Sequence, residues 1–296
     1  MQVFSGLHLA FSLVAILGNL LVIHALRKAS SIPANLKKFF LSASFSDLAV
    51  GLFPQLTLGI IVAVMLKMAT NKNYNFDFFC PSILNIGYFA FFLLAWASLL
   101  NVTAIAVDRL LAVSLQLRYQ ELFTPKRVVI ALVSVWLTSG VSASIFISLS
   151  SNNNIVATII EFVGPVLITV AYTRIYKVVR YRQNQIQSQL ELPNAKAREL
   201  LREKKSALNS LIVYVVFLAR FLPYLCLEML LLTNSFRISF LVAEHVIFFL
   251  VLLSSSLNPS VYCWWYREIR EIMNCTLKNI FRCWVKWVIK SKRDVL

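Results

Sequence analysis

Charge is scarce in this chain, and acid is scarcer still. Only 14% of its 296 residues are charged, and Asp and Glu together number 13 against 29 Lys and Arg. A soluble domain of this length would need far more charge to clothe its surface. Glycine is also rare, at 7 residues, which excludes collagen-like and Gly-rich linker sequences. The 5 cysteines, Cys80, Cys226, Cys263, Cys275 and Cys283, form no Cys-x-x-Cys pair, so neither a zinc site nor a disulfide framework is expected. His-Glu-x-x-His, Gly-x-Ser-x-Gly and paired catalytic aspartates are all missing, and His8, His24 and His245 share no evident site. An enzyme is therefore not expected. Nor is a nucleic-acid-binding protein, because the net charge of +16 comes without an aromatic-and-basic module for base stacking.

What is present is apolar length. Hydrophobic residues make up 59% of the chain, and the mean hydropathy is +0.73. A membrane-crossing helix needs about 20 apolar residues, and seven runs reach that length: 3–26, 38–65, 79–111, 127–149, 155–179, 206–232 and 239–263. Two overlong apolar stretches are divided by polar breaks, "SLSSNNN" at 148–154 and "TNSFR" at 233–237. The runs are too long and too uniformly apolar for an outer-membrane barrel. The first run begins without a basic leader segment or a clear cleavage site, so it is expected to be a retained span.

The cations set the orientation. Of the 29 Lys and Arg, 24 fall in alternate connecting segments and the tail, while the opposite loops hold Lys67, Lys72 and Arg237. Positive-inside logic places the tail in the cytoplasm and the N-terminus outside. The charge is thus placed to meet a membrane face.

Polar residues inside the spans are costly and call for an account. Asp47 lies near the middle of the second run, where an ionised carboxylate costs about 2.5–3.5 kcal/mol on insertion scales. Asn19, Ser98 and Asn258 lie at depths that let them converge on it. Two readings fit: a small hydrated cation site with oxygen ligands, or interhelical hydrogen-bond glue. Pro223 and Pro259 lie inside the sixth and seventh runs, where each removes a helical hydrogen bond and makes either a passive bend or a hinge. Asp108 and Arg109 end a stretch, 80–107, that carries no charge. They are either end charges reaching for water or part of a clamp, with Glu203 at the start of the sixth run as Arg109's candidate partner. Arg220, beside Pro223, needs a partner or a wet crevice, and Glu161 is a candidate.

Together these residues resemble the rhodopsin-like, class A G-protein-coupled receptors over about residues 6–275. "LGNLLV" at 17–22 carries Asn19, "SFSDLAVG" at 44–51 carries Asp47, and "DRL" at 108–110 is similar to Asp-Arg-Tyr with the last residue changed. Trp136 matches the fourth-span tryptophan. "FLPY" at 221–224 is similar to Cys-Trp-x-Pro with Phe221 in place of tryptophan, and "NPSVY" at 258–262 is an intact Asn-Pro-x-x-Tyr. "LRYQELFTPKR" at 117–127 looks like the second cytoplasmic loop of melanocortin and adenosine receptors. The short second extracellular loop also resembles the melanocortin, cannabinoid and lysophospholipid branch.

The resemblance implies an all-α membrane protein: a seven-transmembrane helix bundle over 1–263, a short amphipathic eighth helix over 264–275, and a basic cytoplasmic tail over 276–296. It implies a plasma-membrane receptor for an extracellular ligand that activates a heterotrimeric G protein and also meets arrestin and membrane lipids. Asp108, Arg109, Glu203, Tyr172, Tyr262, Asn258, Pro259, Phe221 and Pro223 would form the switch. Phe91, Ala95, Glu161, Phe221, Glu228 and Glu244 would line the ligand pocket. Phe91 stands where amine receptors carry aspartate, which argues against a biogenic amine, and Leu252 stands where an opsin would need lysine. The ligand classes left open are peptide, lipid and nucleoside-like.

No cofactor is expected beyond an allosteric sodium ion at Asp47, Ser98 and Asn258, and Cys275 and Cys283 are candidates for lipidation. Leu84 occupies the place of the family's third-span cysteine, so the usual extracellular disulfide is not expected. Pro165 is seven residues before Tyr172 rather than the usual eight. The competing classes are a transporter or channel, disfavoured by the lack of internal repeats, and a decoy receptor that does not couple.

Overall fold

The protein is described by a computed structural model. It describes residues 2–60, 64, 80–115, 119, 121, 123–149 and 240–293, with isolated helical positions between 163 and 226. Among the described residues all regular structure is helical. The helices are α1 (Gln2–Lys28), α2 (Ala34–Val50, continuing through a widened turn to Ile60), α3 (Cys80–Leu115), α4 (Pro125–Leu149), α5 (Phe240–Trp265) and α6 (Arg267–Arg293). The first, third, fourth and seventh expected runs lie within two to four residues of α1, α3, α4 and α5. The second starts four residues earlier than expected. The fifth and sixth runs, with their polar breaks, fall outside the continuously described residues. Four helical segments among the described residues, Ser5–Lys28, Ala34–Ile60, Ile86–Arg109 and Pro125–Ile145, are long and apolar enough to cross a membrane.

Local sequence explains the helix ends. Thr124 caps α4 with Pro125 at the first helical position, where proline lacks only an N–H that would be orphaned anyway. The Arg127 N–H points at Thr124 Oγ1, 3.5 Å away. In α2, Pro54 cannot donate to a carbonyl one turn back, and the helix answers with a π turn over Gly51–Gln55. The Ser12 hydroxyl of α1 donates to Gly51 O in that turn at 2.9 Å, and Ser5 does the same to Gly59 O at 2.9 Å.

α1 packs against α2 and α5, α2 against α3, and α3 against α4. In lipid the apolar effect between helices vanishes, so close packing and hydrogen bonds hold them together. Large side chains on the outer faces, such as Leu17, Ile130 and Leu137, are exposed as lipid-facing groups would be. Smallness matters on the inner face of α1. A Cβ at Gly18 would lie 2.8 Å from Cγ and 3.2 Å from Cβ of Pro259, a stiff ring on α5. At one end of the bundle an apolar cluster gathers Leu26, Ile32, Phe39, Phe40, Ile105, Val128, Tyr262, Ile269 and Met273, from every described helix.

Gly18→Ala should therefore destabilise the bundle by about 1–3 kcal/mol, as overpacking does. Gly140→Ala, where a Cβ meets nothing within 4 Å, should be neutral. Thermal unfolding of the two purified variants checks the difference.

Candidate functional site

Two polar centres lie on the described helices. The first is inside the bundle. Asp47 is fully buried on α2, and the Asn258 Nδ2 of α5 donates to its Oδ2 at 2.6 Å. This is a charge-assisted hydrogen bond of the kind that offsets the cost of a carboxylate in an apolar interior. The next residue, Pro259, has no N–H to give to Ser255 O, four residues earlier. Asn19 of α1 supplies the missing donor: its Nδ2 reaches Ser255 O at 3.0 Å and Ala15 O at 2.8 Å. The Ser256 hydroxyl adds a bond to Phe11 O at 2.9 Å. Three helices are thus tied at one depth by residues whose spacing in sequence exceeds 200. Ser98, the third expected sodium ligand, is half-buried on α3, between buried Ala97 and Leu99. Trp136 of α4 donates from Nε1 to the Ser42 hydroxyl of α2 at 3.2 Å.

Gln55 was not singled out by sequence. It is fully buried, and neither end of its amide has a hydrogen-bond partner among the described residues. It is eight residues after Asp47, which in an unbroken α-helix turns it about 80° away from the Asp47 face. The π turn over Gly51–Gln55 advances less per residue and so reduces that angle. The proline beside it was the available signal.

The second centre is where α3 ends. Asp108 and Arg109 are 1% and 7% exposed, so they are interior groups and not end charges reaching for water. The Arg109 Nε donates to Asp108 Oδ2 at 3.0 Å and its Nη2 to the same oxygen at 2.5 Å. The Tyr119 hydroxyl donates to the other oxygen, Oδ1. Burial and the Asp108 carboxylate raise the Tyr119 phenol above its ordinary value, since both oppose a second negative charge there. Asn35 of α2 fixes this loop by donating from Nδ2 to Phe123 O at 2.9 Å, and Phe123 stacks on Tyr119.

Tyr262 is buried against Phe40, ring centroids 5.2 Å apart, and Phe40 also meets Tyr266 at 5.6 Å. Burial pushes the Tyr266 phenol up to about 12, and the Arg109 charge pulls the other way, which places Tyr266 within electrostatic reach of Arg109. Glu268 closes the same end. Its Oε1 accepts the Ser30 N–H at 2.7 Å and the Ser30 hydroxyl at 3.1 Å, and its Oε2 accepts the Ser31 N–H at 2.9 Å and the Ser31 hydroxyl. One carboxylate thus joins α6 to the turn between α1 and α2.

Of the expected pocket residues, Phe91 is buried edge-on to Phe92 at 5.3 Å, and Ala95 is half-buried one turn along α3. Glu244 lies on α5, with its side chain outside the described residues. Leu252 is buried. Pro223 is helical and exposed. Glu161, Tyr172, Glu203, Arg220, Phe221 and Glu228 lie outside the described residues, as do Pro165 and the side chains of Cys80 and Leu84. The proposed Arg109–Glu203 contact and the disulfide question lie there too. Cys275 and Cys283 are free thiols exposed on α6.

The family model of the seven-transmembrane receptors of the rhodopsin family matches residues 18–262. The chain belongs to that family. It is a G-protein-coupled receptor, a multi-pass protein of the plasma membrane and not an enzyme, and its bundle has the family's seven spans. It is similar to melanocortin receptor 4 of Danio rerio, 25% identical over 289 residues, covering 93% of this chain and 83% of the relative. Human melanocortin receptor 3 is 24% identical over 268 residues, 89% of this chain and 81% of its own. The adenosine receptor A2a of Canis lupus familiaris is 27% identical over 322 residues, 95% of this chain and 72% of its own. The receptor stands near the melanocortin and adenosine receptors, the cluster its second cytoplasmic loop resembles.

The Glu268 clamp carries a pH prediction. Its carboxyl falls from the ordinary 4.5 to about 2, first through the Ser30 N–H and then through Ser31. A depressed folded-state pKa stabilises above the unfolded value and is lost as pH falls through the folded one. The receptor should lose thermal stability between about pH 4.5 and pH 2. Glu268→Gln should be less stable at neutral pH and should show a smaller acid loss. Melting curves of both proteins across that range check it.

Proposed function

We propose that this receptor faces the extracellular space with its N-terminus, keeps its tail in the cytoplasm, and passes ligand binding to a heterotrimeric G protein through Arg109. The observation that supports this is the buried Asp108–Arg109–Tyr119 cluster at the end of α3. A guanidinium held in the interior beside a carboxylate, next to a cytoplasmic-side loop, stores a charge that an inward-reaching partner can recruit. A ligand shifts the population of the active bundle only by its differential affinity for it. In that state Arg109 leaves its resting contacts, Glu203 among them, and meets the G protein, while Tyr172 and Tyr262 rearrange around it. Phe221 and Pro223 of the sixth run, and Asn258 and Pro259 of α5, are the moving joints. Sodium held by Asp47, Ser98 and Asn258 favours the resting bundle.

Phe91, Ala95, Glu161, Phe221, Glu228 and Glu244 line the outer pocket. Its aromatic wall and acids suit a peptide or lipid, and the adenosine receptor among the relatives keeps a nucleoside-like ligand in view. Arrestin and membrane lipids are further partners, and Cys275 and Cys283 are acylation sites. Leu110, in place of the family's tyrosine, favours a second reading, a receptor that binds ligand without coupling.

Membranes carrying the receptor, screened with peptide, lipid and nucleoside libraries, should show ligand-stimulated guanine-nucleotide exchange on added G protein. Arg109→Ala should lower that exchange at least about tenfold, a loss of about 1.4 kcal/mol, with ligand binding retained. Glu203→Ala should raise basal exchange. Saturable ligand binding that never stimulates exchange with any G-protein class would establish the non-coupling reading instead.

A further inference from the structure

α6 continues to Arg293, well past the short helix expected from sequence, and near its start one carboxylate ties it to the rest of the bundle. Residues 29–33 join α1 to α2 outside any helix. Glu268 accepts four hydrogen bonds from two neighbouring residues of that segment, the N–H and hydroxyl of Ser30 and the N–H and hydroxyl of Ser31. Both serines are exposed. The Ser30 hydroxyl reaches Glu268 over 3.1 Å, against 2.7 Å for the Ser30 N–H, so the hydroxyl is the weaker half of that grip. Ile269, the next residue of α6, is buried in the apolar cluster with Met273.

The chain around Ser30 is basic. Arg27 and Lys28 stand three and two residues before it, both exposed in the last turn of α1, and no acid occurs before Asp47. Lys37 reaches back to the Ala29 carbonyl. An exposed serine preceded by two exposed cations complements an acidic substrate groove in charge. The segment lies outside the helices and the last turn of a helix frays readily, so such a groove can draw it out without unwinding the bundle.

We propose that Ser30 is a phosphorylation site for a serine kinase that reads basic residues, and that its phosphate releases the start of α6 from the turn between α1 and α2. In the transfer the Ser30 Oγ attacks the γ-phosphorus of ATP. A new O–P bond forms, the bond from that phosphorus to the bridging oxygen breaks, and ADP leaves. The hydroxyl proton passes to the kinase's catalytic aspartate. The product has no hydroxyl donor for Glu268 and carries about −1.5 to −2 charges near neutral pH. Glu268 is ionised there, because its N–H and hydroxyl donors hold the carboxyl far below the ordinary range. Two anions then stand side by side and repel, while Arg27 and Lys28 draw the phosphate toward α1. The Ser30 N–H and both donors of Ser31 remain, and the apolar cluster keeps Ile269 and Met273. α6 therefore loosens at its first turn without leaving the bundle. The inference rests on the proposed orientation, which puts this turn in the cytoplasm with ATP, and not on G-protein coupling.

The test incubates the full-length receptor, in nanodiscs that leave both faces open, with ATP and the catalytic subunit of cyclic-AMP-dependent protein kinase. Peptide mass spectrometry should place phosphate on Ser30. Ser30→Ala keeps the backbone donor to Glu268, so it should fold with the parent's melting temperature and lose that phosphate. Phosphorylation should speed hydrogen–deuterium exchange over 267–273 at least about threefold. In Glu268→Gln the phosphate meets an amide that can donate to it, and the same phosphorylation should leave that exchange unchanged. Absence of phosphate on Ser30 overturns the proposal. So does phosphate there with unchanged exchange in the parent, or an equal speeding in Glu268→Gln. Orientation is read separately, with an antibody against an N-terminal tag on intact cells. Staining only after permeabilisation would place the turn away from ATP and overturn the cellular role even where Ser30 accepts phosphate in nanodiscs.

Discussion

A carboxylate in the middle of a membrane bundle must be answered by its neighbours, and the answer Asp47 receives organises the described part of this receptor. Asn258 donates to it at 2.6 Å. Because Asn258 precedes Pro259, the same short segment of α5 also exposes the Ser255 carbonyl, and Asn19 fills that vacancy. Gly18, next to Asn19, lets α1 come close enough, with the Pro259 ring against its backbone. Four residue types each answer a separate physical demand: charge, lost donor, replacement donor and room. They lie at one level of three helices. A charge-assisted hydrogen bond contributes about 1.5–3 kcal/mol, comparable to the insertion cost of the acid. The contact therefore sets geometry more than it adds net stability.

The other end of the bundle repeats the logic with different groups. Arg109 is buried, so it needs a carboxylate at hand, and Asp108 provides one from the adjacent position. The adjacency leaves Asp108 with a second oxygen to satisfy, and Tyr119 reaches it from the following loop. The hydroxyl absent at Leu110 is not missed by Asp108. Glu268 and Asn35 then fasten the surrounding loops by backbone groups, Ser30, Ser31 and Phe123. The loops at this end are held by such contacts together with the apolar cluster beside them.

Sequence made the interior legible because lipid makes polarity expensive. Asp47, Asn19 and Asn258 stand out in apolar runs; Asn258 meets Asp47, whereas Asn19 gives its amide to the Ser255 and Ala15 carbonyls. Trp136 and Tyr262 come with their motifs. The loop contacts were not legible for the opposite reason. Glu268 and Ser30 are 238 residues apart, both look like ordinary surface residues, and no periodicity links them. Tyr119 sat in a stretch read only for its resemblance to other loops. Gln55 required knowing that Pro54 would widen the turn rather than bend the helix. The long α6 was foreshortened because the basic residues after 275 were read as a tail, although their four-residue spacing is helical.

The Asp47–Asn258 bond is tested most directly by a double-mutant cycle on thermal stability, with Asp47→Ala, Asn258→Ala and the pair. If the two side chains hold α2 to α5 as described, the cycle should show a coupling of about 1–3 kcal/mol. Effects that add within about 0.5 kcal/mol would contradict the account, because each side chain would then be acting alone.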